Sequence, residues 1–293
     1  MIGLGSNRLT VCRRGGMSVM QAGRGGMEWL AGGRAPLWSS PYSDQATAAL
    51  LAQFPTQWPT IRDYGIAHPE IVGYMNAYAP EDAKIAYSLV EGIGTRWLDA
   101  PVSAYINLHY IHKTTTNVDI TYKITSTGGW GSLFGSRKGD FRNNAYILRF
   151  YSSTAYMCYN RTGAETYNSI ATKLNTKYRC VIQGLVAKFY EGEDATLVNT
   201  INCTGTNNAG VSEWLLFANN QSTTSTGVSV ENTGLHSIAK FKVLEGTTAV
   251  REMYPFIRKI NGVDTCGMID VLSGTFYQNA GSGSFTISET PAS

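Results

Sequence analysis

The sequence predicts a mainly β chain, an antiparallel sandwich of two sheets preceded by a small N-terminal arm and short helices. Three observations carry this. From Ala86 onward apolar and polar residues alternate with a period of two, as in Val118, Ile120, Tyr122 and Ile124 against Asp119, Thr121 and Lys123. That spacing puts successive side chains on opposite faces of a half-buried strand. The runs are short and separated by turn residues, the pattern of a sandwich rather than of alternating strands and helices. Charged residues make up only 15% of the 293, while Gly, Ser, Thr, Asn and Tyr are abundant. This composition suits strands joined by polar loops better than a helical bundle.

The elements follow in order. Met1–Arg34 is glycine-rich, and glycine loses more backbone freedom on folding than any other residue, so this arm is expected not to order by itself. It carries Arg8, Arg13, Arg14, Arg24 and Arg34 against Glu28, so the basic excess of the chain, +3 at neutral pH, sits here. Trp29 and the scattered methionines are foreign to a purely solvating tail. Two readings stand: a disordered leader, or an arm ordered by packing into neighbouring subunits. On the second, Arg13, Arg14, Trp29 and Trp38 are the assembly candidates. Ser43–Gln53 reads as a helix capped by Ser43, with Ala46, Ala49, Leu50 and Leu51 as its apolar stripe, and Pro55 ends it. Pro69–Ala77 reads as a second helix opened by proline. Residues 1–83 thus form an attachment or oligomerisation region too short for its own core, and 84–293 the sandwich.

Within the sandwich, strands are expected around Val118–Ile124, Ser132–Ser136, Tyr146–Tyr151, Ala155–Tyr159, Tyr178–Ile182 and Leu185–Tyr190. Trp214–Phe217 is a continuous apolar run that suits a central strand. Leu235–Leu244 and Val250–Ile257 follow, joined by a turn at Gly246. The closing stretch Tyr254–Phe285 contains three turn signals: Asn261-Gly262, Ser273-Gly274 and Gly281-Ser282-Gly283. Asn-Gly suits a two-residue hairpin because both central residues need positive φ. Phe276 and Phe285 are expected to point inward and close the sandwich, and Gly267 to mark a bulge or a close backbone approach. The five cysteines, Cys12, Cys158, Cys180, Cys203 and Cys266, are odd in number and irregularly spaced. They read as reduced core residues rather than a disulfide framework.

The closing stretch resembles the ending of concanavalin A-like (laminin-G-like) jelly-roll domains in tail, fibre and prophage proteins of gut-bacterial phages. The residues that carry the resemblance are Pro255, Arg258, Gly262, Gly267, Met268, Asp270, Gly274, Phe276, Tyr277, Asn279, Gly281, Gly283 and Phe285. Ala86–Ala100 resembles the opening strand of the same domains through Glu91, Gly94, Thr95 and Asp99, with Trp97 and Leu98 where Tyr-Ile is usual. The resemblance covers about 84–288. It implies a jelly roll, and a virion structural protein that meets other virion proteins and copies of itself through residues 1–83, with the jelly roll serving assembly, decoration or adhesion to host-surface glycan. The alternatives are a glycan-active enzyme of atypical jelly-roll type and a bacterial surface lectin.

No catalytic set stands out, and the chain reads as a non-enzyme. Jelly-roll glucanases need two carboxylates flanking a glycosidic bond. The nearest cluster, Glu191, Glu193 and Asp194, has the wrong spacing and reads as a solvated hairpin tip. His109 and His112 are three apart, which on a strand sets them on opposite faces, so no shared metal is expected. Asp119, Asp140 and Asp194 do not have the spacing of a calcium loop. No cofactor is implied, although calcium held by scattered carbonyls would leave no mark in a sequence. A binding face is the better expectation. Trp130 is flanked by glycines at a strand edge, and a basic, amide-rich loop with Arg137, Arg142 and Asn143 follows it. Tyr159 and Arg161 supply a neighbouring turn. An aromatic platform with planar polar groups is how proteins hold sugars. The opposing reading has Trp130 filling a core edge and the cations solvated. Nucleic acid is not favoured, because the arm lacks the interleaved aromatics of a single-strand binder. No segment is long and apolar enough to insert in a bilayer, and the N-terminus has no signal-peptide h-region, so the location expected is the virion.

Overall fold

The computed structural model describes residues 96–289, except 127–128, 139–143, 152–153, 160–168, 193–195, 204–207, 232, 235 and 261–262, together with 2–5, 8–11, 19–23 and 26–30. The chain forms two compact units, Met1–Ile93 with Ile269–Phe276, and Gly94–Met268 with Tyr277–Ser293. The helices expected over 43–53 and 69–77 lie outside the described residues, and among the described residues every regular element is a strand.

The N-terminal arm differs from its expectation. It holds four short strands, β1 (Ile2–Gly5), β2 (Arg8–Val11), β3 (Val19–Gly23) and β4 (Gly26–Leu30), in an antiparallel meander. Gly5 pairs with Arg8 and Gly23 with Gly26, so two of the hairpins close over two residues. Here glycine works as a turn former. Tight turns bring neighbouring strands together at little loop-closure cost, and the ladders satisfy backbone groups that an isolated glycine-rich chain would leave to water.

From Arg96 onward the strands are β5 (Arg96–Asp99), β6 (Ile106–Asn107), β7 (Thr116–Ile124), β8 (Trp130–Ser136), β9 (Tyr146–Tyr151), β10 (Thr154–Tyr159), β11 (Ser169–Ala171), β12 (Tyr178–Gln183), β13 (Val186–Glu191) and β14 (Thr196–Asn202). They continue with β15 (Leu215–Leu216), β16 (Asn219–Asn220), β17 (Val230–Glu231), β18 (His236–Glu245), β19 (Thr248–Ile260), β20 (Val263–Asp270), β21 (Thr275–Gln278) and β22 (Thr286–Glu289). One sheet runs β11-β10-β9-β8-β15-β6, with β16 on β8 and β17 on β16. The other runs β14-β13-β12-β7-β18-β19-β20-β21, with β5 joining β18 to β22. The described pairings are antiparallel apart from one parallel bridge, Asn220 to Ser136. The fold is a two-sheet antiparallel jelly-roll sandwich.

The period-two pattern builds the core. Val118, Ile120, Tyr122 and Ile124 of β7 are all fully buried, as are Phe241 and Val243 of β18 and Phe134, Tyr146 and Leu148 of the facing sheet. Phe134 meets Phe241 across the sandwich at a ring separation of 5.2 Å. Trp214 sits at the centre. It stacks on Tyr146 at 4.9 Å and meets Tyr110 edge-on at 5.3 Å. Its indole N–H donates to His112 Nδ1 at 3.1 Å, the partner that a buried Trp needs. The run Trp214–Phe217 is central as expected, but the strand itself is only β15, bonded to β6 and β8. It stops because Phe217 takes a positive φ of 65°. Of the cysteines with described side chains, Cys180 and Cys203 are buried, Cys266 is half-buried, and all three are free thiols. Burial pushes the Cys180 thiol well up, so it stays protonated.

The closing stretch is held by two side-chain devices. Asp270 ends β20 and shapes the turn after it, accepting from the Leu272 amide at 3.2 Å and the Ser273 hydroxyl at 2.6 Å, while the Gly274 amide donates to its carbonyl at 2.7 Å. Gly274 has φ 70°, the value anticipated for it. Asn279 accepts from the amides of Tyr105 and Gly281 and donates to the carbonyls of Ser282 and Gly283. A Cβ on Gly281 would run into the Ser103 carbonyl oxygen, so that position requires glycine. Phe285 closes the sandwich, 5% exposed and 5.1 Å from the Phe217 ring. Phe276 does not join it. It is half-buried, and the next residue, Tyr277, packs against the core instead. Strand alternation allows only one of two consecutive residues to face the core.

Candidate functional site

Trp130 opens β8 directly opposite Tyr151, the last residue of β9. The two rings lie 4.7 Å apart at 39°, and they remain 41% and 46% exposed, an open aromatic pair on a rigid hairpin. Arg149, two residues before Tyr151 and so on the same face of β9, is buried. Its guanidinium carbon lies 4.4 Å from the Trp130 ring centre. Stacking of this kind orients the indole and limits its rotation. Beside the pair is a recess of about 60 Å³ lined by Val102, Ser126, Gly129, Trp130, Phe150, Thr233 and Gly234. That is room for a few water molecules, not for a sugar ring.

Glycine shapes the recess. Gly129 has φ 109°, a region closed to other residues, and turns the chain into Trp130. Gly234 lies against the Gly131 backbone, the Phe150 ring and His236, so a Cβ there would meet the Gly131 Cα at 2.8 Å. Behind this layer His236 is fully buried, stacked on Phe217 at 5.0 Å and edge-on to Phe150 at 5.4 Å. Neither of its ring nitrogens has a hydrogen-bond partner. Burial lowers its pKa to about 3, so the imidazole is neutral. Among the described residues lining the recess there is no carboxylate.

Of the residues anticipated from the sequence, the described ones, Trp130, Arg137 and Tyr159, are not all brought together. Arg137 follows the far end of β8, where it is buried. Its guanidinium donates to Glu231 at 2.6 Å and to Gln221 at 2.9 Å, and its amide donates to the Asn220 carbonyl. Glu231 also accepts from Asn219, whose Oδ1 accepts from the Ser132 hydroxyl, so Arg137 belongs to a polar network of the sheet. The backbone of Tyr159 pairs with Tyr146, which pairs with Ser136. Tyr159 is therefore also at the end of the hairpins away from Trp130, roughly 16 Å along the strands. Arg142, Asn143 and Arg161 lie outside the described residues, as do Arg13, Arg14 and Trp38. Trp29 stands opposite Met20 in the β3–β4 pair. Tyr151, Arg149 and the recess residues were not anticipated as site residues. The alternation of Ile147, Arg149 and Tyr151 is visible in the sequence, but the register that sets Tyr151 against Trp130 is not.

The other charged clusters brace the frame. Glu191 accepts from the Lys173 ammonium at 2.5 Å and the Tyr178 hydroxyl at 2.8 Å, which hold its carboxyl below the usual range. Arg179 makes a two-pronged bond to Asp119, 2.9 Å on each arm. His109 is exposed and meets Glu213, whereas His112 is buried on Trp214, so the two do not share an environment. Among the described residues no group of three His, Cys, Asp or Glu is placed to hold a metal. No helix of the described residues is long and apolar enough to cross a membrane.

No family model and no curated protein matches the sequence. Solved structures of similar shape include the heptameric SAP-like pentraxin of Limulus polyphemus, at 13% identity and TM-score 0.42, covering 67% of this chain and 96% of that one. A putative carbohydrate binding protein of Bacteroides ovatus matches at 9% identity and TM-score 0.42, covering 68% of this chain and 60% of that one. The CBM40 domain of the Ruminococcus gnavus IT-sialidase matches at 12% identity and TM-score 0.31, covering 51% and 91%. The assignment of the sandwich rests on its strand order and shared core, and that of the site on its own geometry.

Proposed function

We propose that this chain is a non-enzymatic binding protein, a phage virion structural protein whose jelly roll presents the Trp130–Tyr151 pair to host-surface glycan. The carrying observation is the exposed aromatic pair, set on paired strands and backed by the buried Arg149. Aromatic faces of this kind stack on the C–H faces of pyranose rings, and an open platform accommodates one stretch of a longer glycan chain. The virion role is supported by the resemblance of residues 254–285 to the closing phrase of phage jelly-roll domains. In this reading residues 1–83 attach the chain to the particle or to further copies of itself. A bacterial surface lectin would use the same platform and differ only in where the chain resides.

A glycan array with the purified chain tests the platform. Binding is expected, and Trp130→Ala and Tyr151→Ala should each reduce it at least tenfold while leaving the melting temperature within a few degrees. Binding that survives both substitutions would move the site elsewhere. Incubation with capsular and cell-wall glycans is expected to release no oligosaccharide; release abolished by Glu191→Gln would make the chain an enzyme. Immunogold labelling of purified virions separates the phage role from the lectin, since a lectin would label the bacterial surface and leave particles bare.

A further inference from the structure

The N-terminal meander sorts its residues by chemistry. Each of its strands alternates, and the register brings the apolar sets to one face. Ile2 and Leu4 of β1 stand opposite Val11 and Leu9 of β2. Leu9 stands opposite Ala22 of β3, and Met20 and Ala22 stand opposite Trp29 and Met27 of β4. Residues directly opposite in a ladder share a face, as do residues two apart along a strand, so these positions all lie on one side of the sheet. The other side takes Gly3, Thr10 and Gln21, together with the charged residues of the strands, Arg8 and Glu28. A slip of one residue in any pairing would mix the two sets, so the sorting belongs to this register. Four short strands make a single layer, and an apolar sheet face is stable only against a second layer.

Among the described residues the sandwich has no sheet face of matching chemistry. Its inner faces are packed on each other around Phe134, Trp214 and Phe241. The outer face of the ten-stranded sheet carries Arg179, Asp119, Lys240, Glu252 and Lys242 in successive ion pairs. On the outer side of the eight-stranded sheet Arg149 stands opposite Ser132. The matching face is that of the meander in another molecule. It holds no charged position, so it is complementary to itself about a two-fold axis. We propose that the apolar face of β1–β4 is a self-association surface, covered by the same face of a second copy of this chain in a two-layer sandwich. This rests on the reading of residues 1–83 as an attachment region and names its surface and its partner. Strand spacing and rise make the face about 19 Å by 15 Å. Two such faces with their side chains bury on the order of 1,000 Å², the lower end for a specific interface. A dissociation constant on the order of micromolar follows.

Sedimentation equilibrium of the intact 293-residue chain is the test. A monomer–dimer equilibrium is expected. Leu9→Glu and Met20→Glu put a charge on the apolar face and should each weaken the dimer about tenfold or more. Thr10→Glu and Gln21→Glu make the same change one position along the same strands, on the other face, and should leave it unchanged. Hydrogen exchange on the unsubstituted chain keeps the test open if a glutamate unfolds the meander: protection of the amides of residues 2–30 should rise with concentration in step with the dimer. A chain that stays monomeric at about 100 µM overturns the proposal. Protection of residues 2–30 in that monomer would give the face to residues 31–93 of the same molecule. A dimer that survives both apolar-face substitutions places the interface elsewhere and also overturns it, as does a larger oligomer. Glycan binding is read separately: Leu9→Glu should bind glycan with unchanged affinity per site, so failure of the platform and failure of the dimer are distinguishable.

Discussion

Arg137 and Arg149 are both buried arginines of the eight-stranded sheet, yet they serve different ends. Arg149 lies against the exposed Trp130, and Arg137 is bonded to Glu231 and Gln221 in the polar network. The chemistry of a guanidinium does not distinguish the roles; its neighbours do. Removing the Arg137 side chain leaves Glu231 and Gln221 with fewer partners, and hydrogen bonds to charged groups are worth about 1.5–3 kcal/mol. Arg137→Ala is therefore expected to lower unfolding free energy by about that amount in urea titration, with glycan binding by the remaining folded protein unchanged. The buried histidines set an acid limit. Burial lowers His112 to about 4 and His236 to about 3, against an ordinary value of 6.5. The unfolded chain binds these protons at higher pH than the folded chain does, so the stability is full above pH 6.5. It falls as pH drops toward about 4 for His112 and about 3 for His236. Each pH unit within that window removes up to about 1.4 kcal/mol per imidazole. Calorimetry from pH 7 to pH 5 should show a falling melting temperature, with a shallower fall in His236→Phe. An equal slope in the variant would assign the acid sensitivity to other groups.

At the scale of the element, the closing stretch shows what its recognisable residues are for. Asp270 and Gly274 form one turn, and Asn279, Gly281 and Gly283 form the next. They hold the chain's path, and none of them lines the recess. Asn279→Ala removes four hydrogen bonds at once, and Gly281→Ala drives a methyl into the Ser103 carbonyl. Either is expected to cost about 1–3 kcal/mol. Phe285→Ala should cost about 3–5 kcal/mol, the usual loss for a buried Phe, and Phe276→Ala distinctly less, because Phe276 is only half-buried. Paired denaturation curves decide this order. Equal losses at the two positions would put Phe276 in the core after all.

At the scale of the whole molecule, the second unit has a core whose described residues run from Leu98 to Phe285. A chain shortened by residues 1–83 is thus expected to keep a cooperative melting transition. Under the virion proposal it should also fail to enter particles, which mass spectrometry of purified virions would show. Normal incorporation would locate attachment on the jelly roll. The recess is likewise a property of the whole. Its lining comes from positions 102, 126, 129–130, 150 and 233–234, brought together only when β8, β9 and the segment before β18 meet.

The amino-acid order by itself determined the sandwich, because period-two burial is a local property. Each of β7, β12 and β13 shows its inner face in its own residues. It also determined the turns at Gly246, Gly274 and Gly283, where a positive φ selects glycine. The glycine flanks of Trp130 marked it as a candidate at a strand edge, and it is 41% exposed there. Its partners were not marked, since cross-strand register depends on loops and a bulge between Ser132 and Phe134 that no periodicity reports. For the same reason the choice of Tyr277 over Phe276 for the core, and of Arg137 for an ion pair rather than a surface, was made by the tertiary structure. Two adjacent aromatics are equivalent by composition, and a cation's neighbours lie on other strands. Burial and pairing between distant segments are decided by the packing of both sheets together.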